Sequence, residues 1–292
     1  MLNYKSYRDS VRCVEALLAQ TSPPSRDGTS PSPSSQEHVE QMDESAQEKR
    51  MGRGGQGERP FLEILLIDNH SDDESAQYLR NRYRSNPQVR IIETAKNLGY
   101  GQGNAHAIAQ AQGEFLLIIN PDNELEPSGL QKMIDVLKND PTIGIVAPKL
   151  IHPDGTVRDS ARKFPTLWDI IKKRTALGRW SHDDRHPNPN LNPTAVDWVA
   201  GACVVMRRSL FLELGGFDPQ FFLFFEDTDL CRRVWAAGKR VVYMPSVTAK
   251  DRKERLSAGG LLSLLTKKTA RIHLVSGMKY FWKWALKSNQ GN

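Results

Sequence analysis

The chain has few cysteines, and no two of them are close together. Its three are Cys13, Cys203 and Cys231, and they form no CxxC pair. Disulfide frameworks and zinc sites are built from closely or regularly spaced cysteines, so this spacing excludes both. It indicates reduced thiols, and we therefore predict a cytoplasmic protein.

Long apolar runs are also missing. No stretch approaches the ~18 consecutive apolar residues of a membrane-spanning helix, and the amino terminus does not have the form of a signal peptide. Positive charge is in only small excess, because the chain has 40 Lys and Arg and 34 Asp and Glu. This balance is compatible with an anionic ligand or a membrane surface, and without a recognisable nucleic-acid motif we predict no nucleic acid partner.

Apolar residues are nearly absent from residues 22–59. The segment is rich in Ser, Pro, Gly, Glu and Gln. Such a composition cannot offset the entropy of ordering by burying apolar surface. We predict a disordered low-complexity insert here, and a partner-binding segment is the alternative.

The rest of the chain has the composition and pattern of a folded domain. Of its 292 residues, 39% are hydrophobic, which suits one large domain with appendages. Short apolar runs that alternate with helical patterns predict strands at 62–68, 89–93, 114–120 and 143–151. Nearly all-apolar strands separated by helices predict an α/β fold with a mostly parallel central sheet flanked by helices.

Acidic residues follow the predicted strands. Asp68 ends one strand, Asp122 follows another, and Glu226 and Asp227 precede a helix predicted from about Thr228 to Ala237. In open parallel sheets, ligands bind beyond the carboxyl ends of the strands. These acids are therefore candidate functional residues.

Two of these positions have competing explanations. Asn120 and Asp122, in the sequence NPDN, offer oxygen ligands for Mg²⁺ or Mn²⁺ beside phosphate oxygens, but Asn, Pro and Asp also form turns. Asp68 could accept hydrogen bonds from a base or a ribose. The alternative is a helix entry capped by Ser71 or Asp72, which explains Asp68 less well because that residue lies on the strand.

A glycine-rich segment, GYGQGNAHA at 99–107, resembles a phosphate-binding loop before a helix that we predict from Asn104. A dinucleotide fingerprint needs a third glycine where Asn104 stands, which disfavours a dinucleotide-dependent oxidoreductase. The loop can still approach a ligand through its backbone, and a plain tight turn is the alternative.

An aromatic run directly precedes the last acids, in FFLFFEDTDLC at 221–231. Asp227 or Thr228 could cap the following helix, with Glu226 and Asp229 complementing its dipole. That interpretation leaves the aromatic residues unexplained. They would pack beneath a site, exclude water and raise the pKa of a carboxylate that acts as a general base.

Several segments occur in a characteristic order: LNYKSYRDSVRCVEALLAQ, LLIDNHSDD, KNLGYGQGNAHAIAQAQGEFLLIINPDN, and then WVAGACVVMRR, FFLFFEDTDLCRR and KRVVYMPS. Together they resemble family 2 glycosyltransferases with the GT-A fold. The NPD and FFEDTDLC forms are similar to the bacterial rhamnosyltransferase-like branch. The resemblance covers residues 2–20 and about 61–285.

The resemblance implies an inverting enzyme that moves a sugar from a nucleotide-sugar donor to a saccharide or lipid-linked acceptor in cell-envelope polysaccharide synthesis, and the branch suggests dTDP-rhamnose. By position, Asp227 would be the catalytic base and Glu226 would help to position the acceptor. The donor nucleotide would contact Asn3, Tyr4, Asp68, Asn97, Gly101 and Asn104. A divalent metal, Mg²⁺ or Mn²⁺, would bind Asp122 and Asn120. The acceptor side would contain Trp198, Gly201 and Ala202.

The sequence departs from this family at two places. Relatives carry an apolar strand before the position of Asn3 and Tyr4, and its loss would leave neighbouring strands with unpaired backbone groups. We expect either an upstream start or a degenerate copy. Where relatives often carry a histidine ligand, Lys250 can pair with phosphate but cannot bind a metal while protonated. The alternative function is therefore a catalytically inert, N-terminally truncated relative that binds a nucleotide sugar or a partner.

A basic aromatic tail, 251–292, follows the predicted domain at 1–250. Residues 267–287 mix Lys and Arg with Ile, Leu, Met, Phe and two Trp, which predicts an amphipathic helix. Such a helix can lie on an anionic membrane face, which would place the protein peripherally on the inner side of the cytoplasmic membrane. The alternative is a helix packed against the catalytic domain.

Overall fold

The computed structural model describes residues 1–20, 62–166, 193–252 and 267–288. The predicted insert at 22–59 and the tail residues 253–266 and 289–292 lie outside the described residues. In chain order the strands are β1 Leu2–Asn3, β2 Ile64–Asp68, β3 Val89–Glu93, β4 Phe115–Ile119, β5 Asn123–Leu125, β6 Ile143–Ile151, β7 Ala161–Arg162, β8 Thr194–Ala195, β9 Trp198–Val199, β10 Cys203–Arg207 and β11 Arg240–Asp251. The helices are α1 Tyr7–Ala19, α2 Ser75–Tyr83, α3 Gly99–Ile108, α4 Gly129–Asn139, α5 Arg208–Glu213, α6 Glu226–Ala236 and α7 Lys268–Ser288.

The first sheet is parallel throughout. Its order is β1-β2-β3, with Asn3 paired to Asp68 and Asp68 paired to Glu93. Side chains of β2 alternate between its two faces, because Leu66 packs with α1 whereas Ile67 packs with Ala107 of α3. Helices on both faces explain why this strand is an almost unbroken apolar run.

The second sheet is mixed. Its order is β4-β10-β6-β11-β5, and β8 pairs with β11. β6 and β11 are parallel, whereas β10 is antiparallel to both β4 and β6. Val205 of β10 joins the core beneath α4, and Val204 and Met206 join the core beneath α5 and α6. The predicted α/β fold is confirmed, and the antiparallel strand brings residues 199–203 beside the end of β4.

A gap separates the two sheets. β1 pairs with β2 over two residues only, and within the described residues no strand joins the edge of β4 that faces β2. A cavity of 290 Å³ lies between the strands, lined by Met1, Leu65 and Leu117 among others. The buried amino group of Met1 donates to Leu65 O (3.0 Å), and burial lowers its pKa to about 6. Unpaired strand edges beside a short β1 are what the sequence led us to expect.

Two helices begin earlier than the sequence suggested. α3 starts at Gly99 rather than Asn104, so the glycine-rich segment is the first turns of the helix and not a loop before it. α6 starts at Glu226, which places Glu226 and Asp227 in its first turn. The start of α3 could not be predicted from helix propensity, because three of its first five residues are glycines, which are poor helix formers. Packing against other segments stabilises this start.

The basic aromatic tail contains a long helix that packs on the domain. Tyr280 of α7 is fully buried in a cluster with Phe221 and Phe225. Lys283 pairs with both Asp218 and Asp229, at 2.7 Å each. In the part of the chain that is described, no helix is long and apolar enough to cross a membrane.

Candidate active site

The predicted acids converge through the backbone around Gly201. Asn120 N, at the end of β4, donates to Ala202 O (2.8 Å). Gly201 N donates to Asp227 Oδ2 (3.0 Å). The β4 end, the residues before β10 and the start of α6 therefore form one connected cluster, which contains the predicted metal, acceptor-side and catalytic residues.

Asp227 does not act as a helix cap. The N-cap of α6 is Phe225, and it makes no side-chain cap hydrogen bond. Asp227 is partly buried, and its carboxylate accepts hydrogen bonds from Gly201 N and from Thr228 N (2.7 Å). Burial raises its pKa, although these hydrogen bonds oppose the shift. The residue is thus a fixed carboxylate with a raised pKa, which is a property of general bases.

Glu226 is a buried acid without a partner. It is 5% exposed, and its Oε2 has no hydrogen-bond partner among the described residues. Burial, and then the negative charge of Asp227, raise the pKa of Glu226 well above its ordinary value. Two neighbouring acids whose environments separate their pKa values take different roles. Burial therefore favours the protonated form of Glu226 more strongly than that of Asp227.

Tyr100 is a site residue that the sequence analysis missed. Its hydroxyl donates to Gly201 O (2.5 Å), and Gly201 N in turn donates to Asp227. Burial, and then the negative charges of Glu226, Asp227 and Asp122, raise the pKa of Tyr100. The signal in the sequence was an aromatic residue, Tyr100, between the glycines of the run at 99–107.

We expect Tyr100→Phe to lower kcat by about tenfold, because the Gly201 carbonyl loses a buried donor and the peptide that holds Asp227 loosens. The KM for the donor should change less, and the acidic limb of the pH–rate profile should move. Tyr83→Phe is the matched control, since Tyr83 donates to Val11 O (3.4 Å) away from these acids. Equal losses in both variants would show a general stability effect instead.

Asp122, the predicted metal ligand, is 9% exposed. Among the described residues, its carboxylate accepts one hydrogen bond, from Asn123 Nδ2 (3.2 Å). Asn120, which is partly buried, lies in the same turn, since Asn123 N donates to Asn120 O (3.1 Å). Within the described ranges, no cluster of three or more His, Cys, Asp or Glu side chains could hold a metal alone. One carboxylate and an amide fit Mg²⁺ or Mn²⁺ only when a diphosphate supplies further oxygens.

Lys250 lies two residues before Arg252, whose backbone N donates to Asp122 O (3.1 Å). It is exposed on β11, opposite Glu124 of β5. The buried acid next to it, Asp251, pairs with Arg158.

Asp68 and Asn3 form a closed hydrogen-bond network at the ends of β2 and β1. Asn3 Nδ2 donates to Asp68 Oδ1 (2.8 Å), and Ser71 N donates to Asp68 Oδ2 (2.9 Å). Ser10 Oγ donates to Asn3 Oδ1 (2.8 Å) from α1. Asp68 is 2% exposed and Asn3 is fully buried. Ser71 thus supports Asp68 and does not cap α2, whose N-cap is Glu74.

Asn69 is a second residue that the sequence analysis missed. Its amide donates to Asn97 Oδ1 (3.1 Å) and Gly99 O (3.2 Å), and its carbonyl accepts from Leu98 N (2.9 Å). Asn97 also accepts from Gly99 N (2.9 Å). Two asparagines therefore fix the turn that starts α3. The signal in the sequence was that Asn69 directly follows Asp68, which ends the predicted strand.

The remaining predicted donor residues lie in different surroundings. Gly101 is buried against Phe217 and Glu226, where a Cβ would come within 3.0 Å of Phe217 Cβ. Asn104 donates to Tyr100 O (3.0 Å) and lines the cavity between β2 and β4. Tyr4 is 46% exposed. Gly101 thus faces the acids, whereas Asn104 faces the gap.

The acceptor-side residues border the acids from β9 and β10. Gly201 and Ala202 are buried, and both contribute backbone hydrogen bonds to the cluster. Trp198 is partly buried, and its Nε1 donates to Lys163 O (2.9 Å) while Arg162 lies over its ring. Trp198 therefore lies at the pairing of β7 with β9.

The aromatic run before Glu226 has a strained backbone that packing holds in place. Phe224 and Phe225 both have positive φ, at 67° and 68°. Non-glycine residues rarely adopt this conformation, and a consecutive pair persists only when its surroundings enforce it. His273 and Tyr280 of α7 contact these rings. The aromatic residues therefore set the position of the first turn of α6.

Known proteins are similar to this chain in sequence and in fold. A family model described as glycosyl transferase family 2 matches residues 44–215. The N-acetylglucosaminyl-diphospho-decaprenol L-rhamnosyltransferase of Mycobacterium tuberculosis is 33% identical over 212 residues, which are 67% of this chain and 68% of that protein. Rhamnosyltransferase WbbL of Escherichia coli K12 is 29% identical over 257 residues, with 80% and 92% covered.

A similar fold occurs in the mannosyltransferase PcManGT of Pyrobaculum calidifontis, which was solved in complex with GDP-Man and Mn²⁺. The TM-score is 0.52 at 14% identity, and the match covers 95% of this chain and 71% of that one. Other similar solved chains are longer, and this chain spans less than two thirds of them. The fold is the GT-A fold, and the predicted rhamnosyltransferase-like resemblance is confirmed. The chain is a glycosyltransferase and belongs to glycosyl transferase family 2.

Proposed function

We propose that the enzyme transfers a sugar, with inversion, from a nucleotide-sugar donor to a hydroxyl of a saccharide or lipid-linked saccharide. We further propose that the sugar is rhamnose, from dTDP-rhamnose, and that the product belongs to a cell-envelope polysaccharide. The M. tuberculosis and E. coli relatives are both named as rhamnosyltransferases, which supports this choice. The observation that carries it is the connected cluster of Asp122 and Asp227 around Gly201.

Asp227 is the proposed base for the acceptor. A hydroxyl is a poor nucleophile until its proton is removed in the transition state. Asp227 takes that proton, and the hydrogen bonds from Gly201 N and Thr228 N hold its carboxylate in one orientation. Burial favours the protonated form of Glu226, in which it can donate a hydrogen bond to an acceptor oxygen. The aromatic residues before it keep bulk water away from both acids.

Asp122 and Asn120 are the proposed contacts on the donor side. They would hold Mg²⁺ or Mn²⁺ together with the donor diphosphate, and the bound ion would neutralise charge on the leaving diphosphate. The turn fixed by Asn69 and Asn97 and the Asn3–Asp68 network would border the nucleotide. Inversion requires the base and the leaving group on opposite sides of the sugar, so Asp227 and Asp122 would flank it.

We expect Asp122→Asn to weaken the binding of nucleoside diphosphate in the presence of Mn²⁺ by at least about tenfold, because losing even an outer partner of a metal costs 10–100-fold in affinity. The measurement is the thermal shift of the full chain with a panel of nucleoside diphosphates, with and without Mn²⁺. Asp135→Asn, on the exposed face of α4, is the control. If the wild-type shift is independent of Mn²⁺, Asp122 is not a metal ligand.

A catalytically inert relative that binds a nucleotide sugar is the second candidate. The gap between β2 and β4 and the exposed Lys250 favour it. Release of nucleoside diphosphate from dTDP-rhamnose with an acceptor present distinguishes the two. Donor binding without turnover across a panel of acceptors would support the inert relative.

We also propose that the enzyme works at the inner face of the cytoplasmic membrane as a peripheral protein. The name of the M. tuberculosis relative includes a decaprenol-linked substrate. A lipid-linked acceptor of that kind would be presented at a membrane surface.

A further inference from the structure

α7 presents an apolar stripe to solvent on the side away from the domain. Val275, Met278, Trp282 and Leu286 are 49%, 64%, 72% and 52% exposed. They recur every three or four residues and therefore lie along one side of the helix. The other five exposed large apolar side chains in the described part of the chain are on separate elements.

Positive charge surrounds this stripe. Residues 255–292 contain seven Lys or Arg and no Asp or Glu. Lys268, Arg271 and Lys279 are exposed and lie on the same side of α7 as the stripe. Trp282 is the most exposed of the four apolar residues, and tryptophan favours the boundary between lipid and water. An apolar stripe among cations complements a surface that is apolar below and anionic above.

The opposite face of α7 is already occupied. Ser276 Oγ donates to Leu223 O (2.8 Å), and Trp284 Nε1 donates to Asp229 Oδ1 (2.9 Å). Tyr280 accepts from Arg232 and is fully buried. These contacts hold the helix on the domain without the stripe, whose side chains are available for a second surface.

We propose that Val275, Met278, Trp282 and Leu286, with Lys268, Arg271 and Lys279, form a docking surface for an anionic lipid bilayer. Given the proposed function, this surface also affects catalysis through the placement of the catalytic turn. α7 contacts Leu223 and Asp229, which flank Glu226 and Asp227. Docking would hold the catalytic turn beside the lipid headgroups, where a lipid-linked acceptor would arrive.

The test is sedimentation of the full chain with vesicles of phosphatidylcholine alone, or of phosphatidylcholine with an equal part of phosphatidylglycerol. We expect binding to the anionic vesicles only, with weaker binding at high salt. Met278→Ser combined with Trp282→Ser should lower vesicle affinity at least about tenfold, and Arg271→Gln should lower it about fivefold. The matched control is Val157→Ser with Leu212→Ser, which removes exposed apolar area elsewhere and should change nothing.

Three outcomes would overturn the proposal. They are no binding by the wild-type chain, equal and salt-independent binding to both vesicles, and a dimer in solution that the Met278 and Trp282 substitutions dissociate. The last would make the stripe a contact between two copies. Nucleoside diphosphate thermal shifts on the same samples report the donor site separately, so failure of the docking surface and failure of the proposed function remain distinguishable.

Discussion

Asp227→Asn is expected to lower kcat by about 10²–10⁴-fold, the range that general base catalysis contributes. Asparagine has one acceptor oxygen where the carboxylate has two, so it keeps the hydrogen bond from Gly201 N or from Thr228 N but not both, and it cannot take a proton from the acceptor. Donor affinity, measured by thermal shift, should remain within about twofold of the wild type because the base does not hold the donor. The measurement is the steady-state release of nucleoside diphosphate over a range of pH.

The pH dependence follows from the raised pKa of Asp227. Its carboxylate must be ionised to act, so kcat should rise with pH through a pKa above the ordinary aspartate value. The asparagine variant should lose this limb. If the limb remains in the variant, another group is the base. Asp135→Asn controls for the loss of one negative charge and should leave the profile unchanged.

As the pH rises, the free energy of unfolding should fall while kcat rises. Because burial raises the folded-state pKa of Asp227 above its unfolded value, the ionised form is disfavoured in the fold. Stability is therefore full below the unfolded pKa and is lost as pH rises through the folded pKa. Asp227→Asn removes this titration, so the melting temperature of the variant should fall less than that of the wild type as the pH rises from acidic to neutral. An equal fall in both proteins would mean that Asp227 is not the source of this pH dependence.

Glu226→Gln separates the two acids. Burial and the charge of Asp227 raise the pKa of Glu226 and favour its protonated form, which glutamine resembles, so the loss of kcat in Glu226→Gln should be much smaller than that in Asp227→Asn. The same loss in both would contradict the division of roles. A charged Glu226 beside a charged Asp227 would then be the better description.

The sequence predicts the strands and acids better than the backbone that connects them. β2, β3 and β4 are apolar runs with polar ends, so their positions and the acids after them follow from pattern alone. The start of α3 does not, because it depends on the close packing of Gly99 against Phe222 and of Gly101 against Phe217, far along the chain. The same holds for Tyr100, whose role depends on the carbonyl of Gly201.

The tail shows a similar limit. Its composition left a membrane surface and packing on the domain open as alternatives. In the described residues α7 packs through Tyr280 and Trp284, while Val275 and Trp282 remain exposed. A helix of this composition can use two faces for two partners, and only coordinates assign residues to faces. Packing on the domain is thus observed, and the membrane surface stays a proposal.

Gly99→Ala is expected to destabilise the protein by about 2–5 kcal/mol, which combines about 1–2 kcal/mol for a left-handed non-glycine residue with about 1–3 kcal/mol for overpacking. Gly99 has φ +76°, and a Cβ would lie 2.0 Å from Phe222 O. That oxygen accepts from Tyr100 N (2.8 Å), so α3 and the aromatic run are in direct backbone contact. The clash is with backbone, which cannot rotate away.

Gly155→Ala separates the two contributions, because it carries only the first of them. Gly155 has φ +84° but nothing within 4 Å of its would-be Cβ, so only the conformational cost applies. Urea unfolding of both variants measures the difference, which should be at least about 1 kcal/mol in favour of Gly155→Ala. Gly99→Ala should also lower kcat, because separating Gly99 from Phe222 displaces Tyr100 and, through Gly201, Asp227. Equal stability of the two variants would mean that α3 and the aromatic run can move apart freely. The turn fixed by Asn69 and Asn97 would then not be rigidly linked to the first turn of α6.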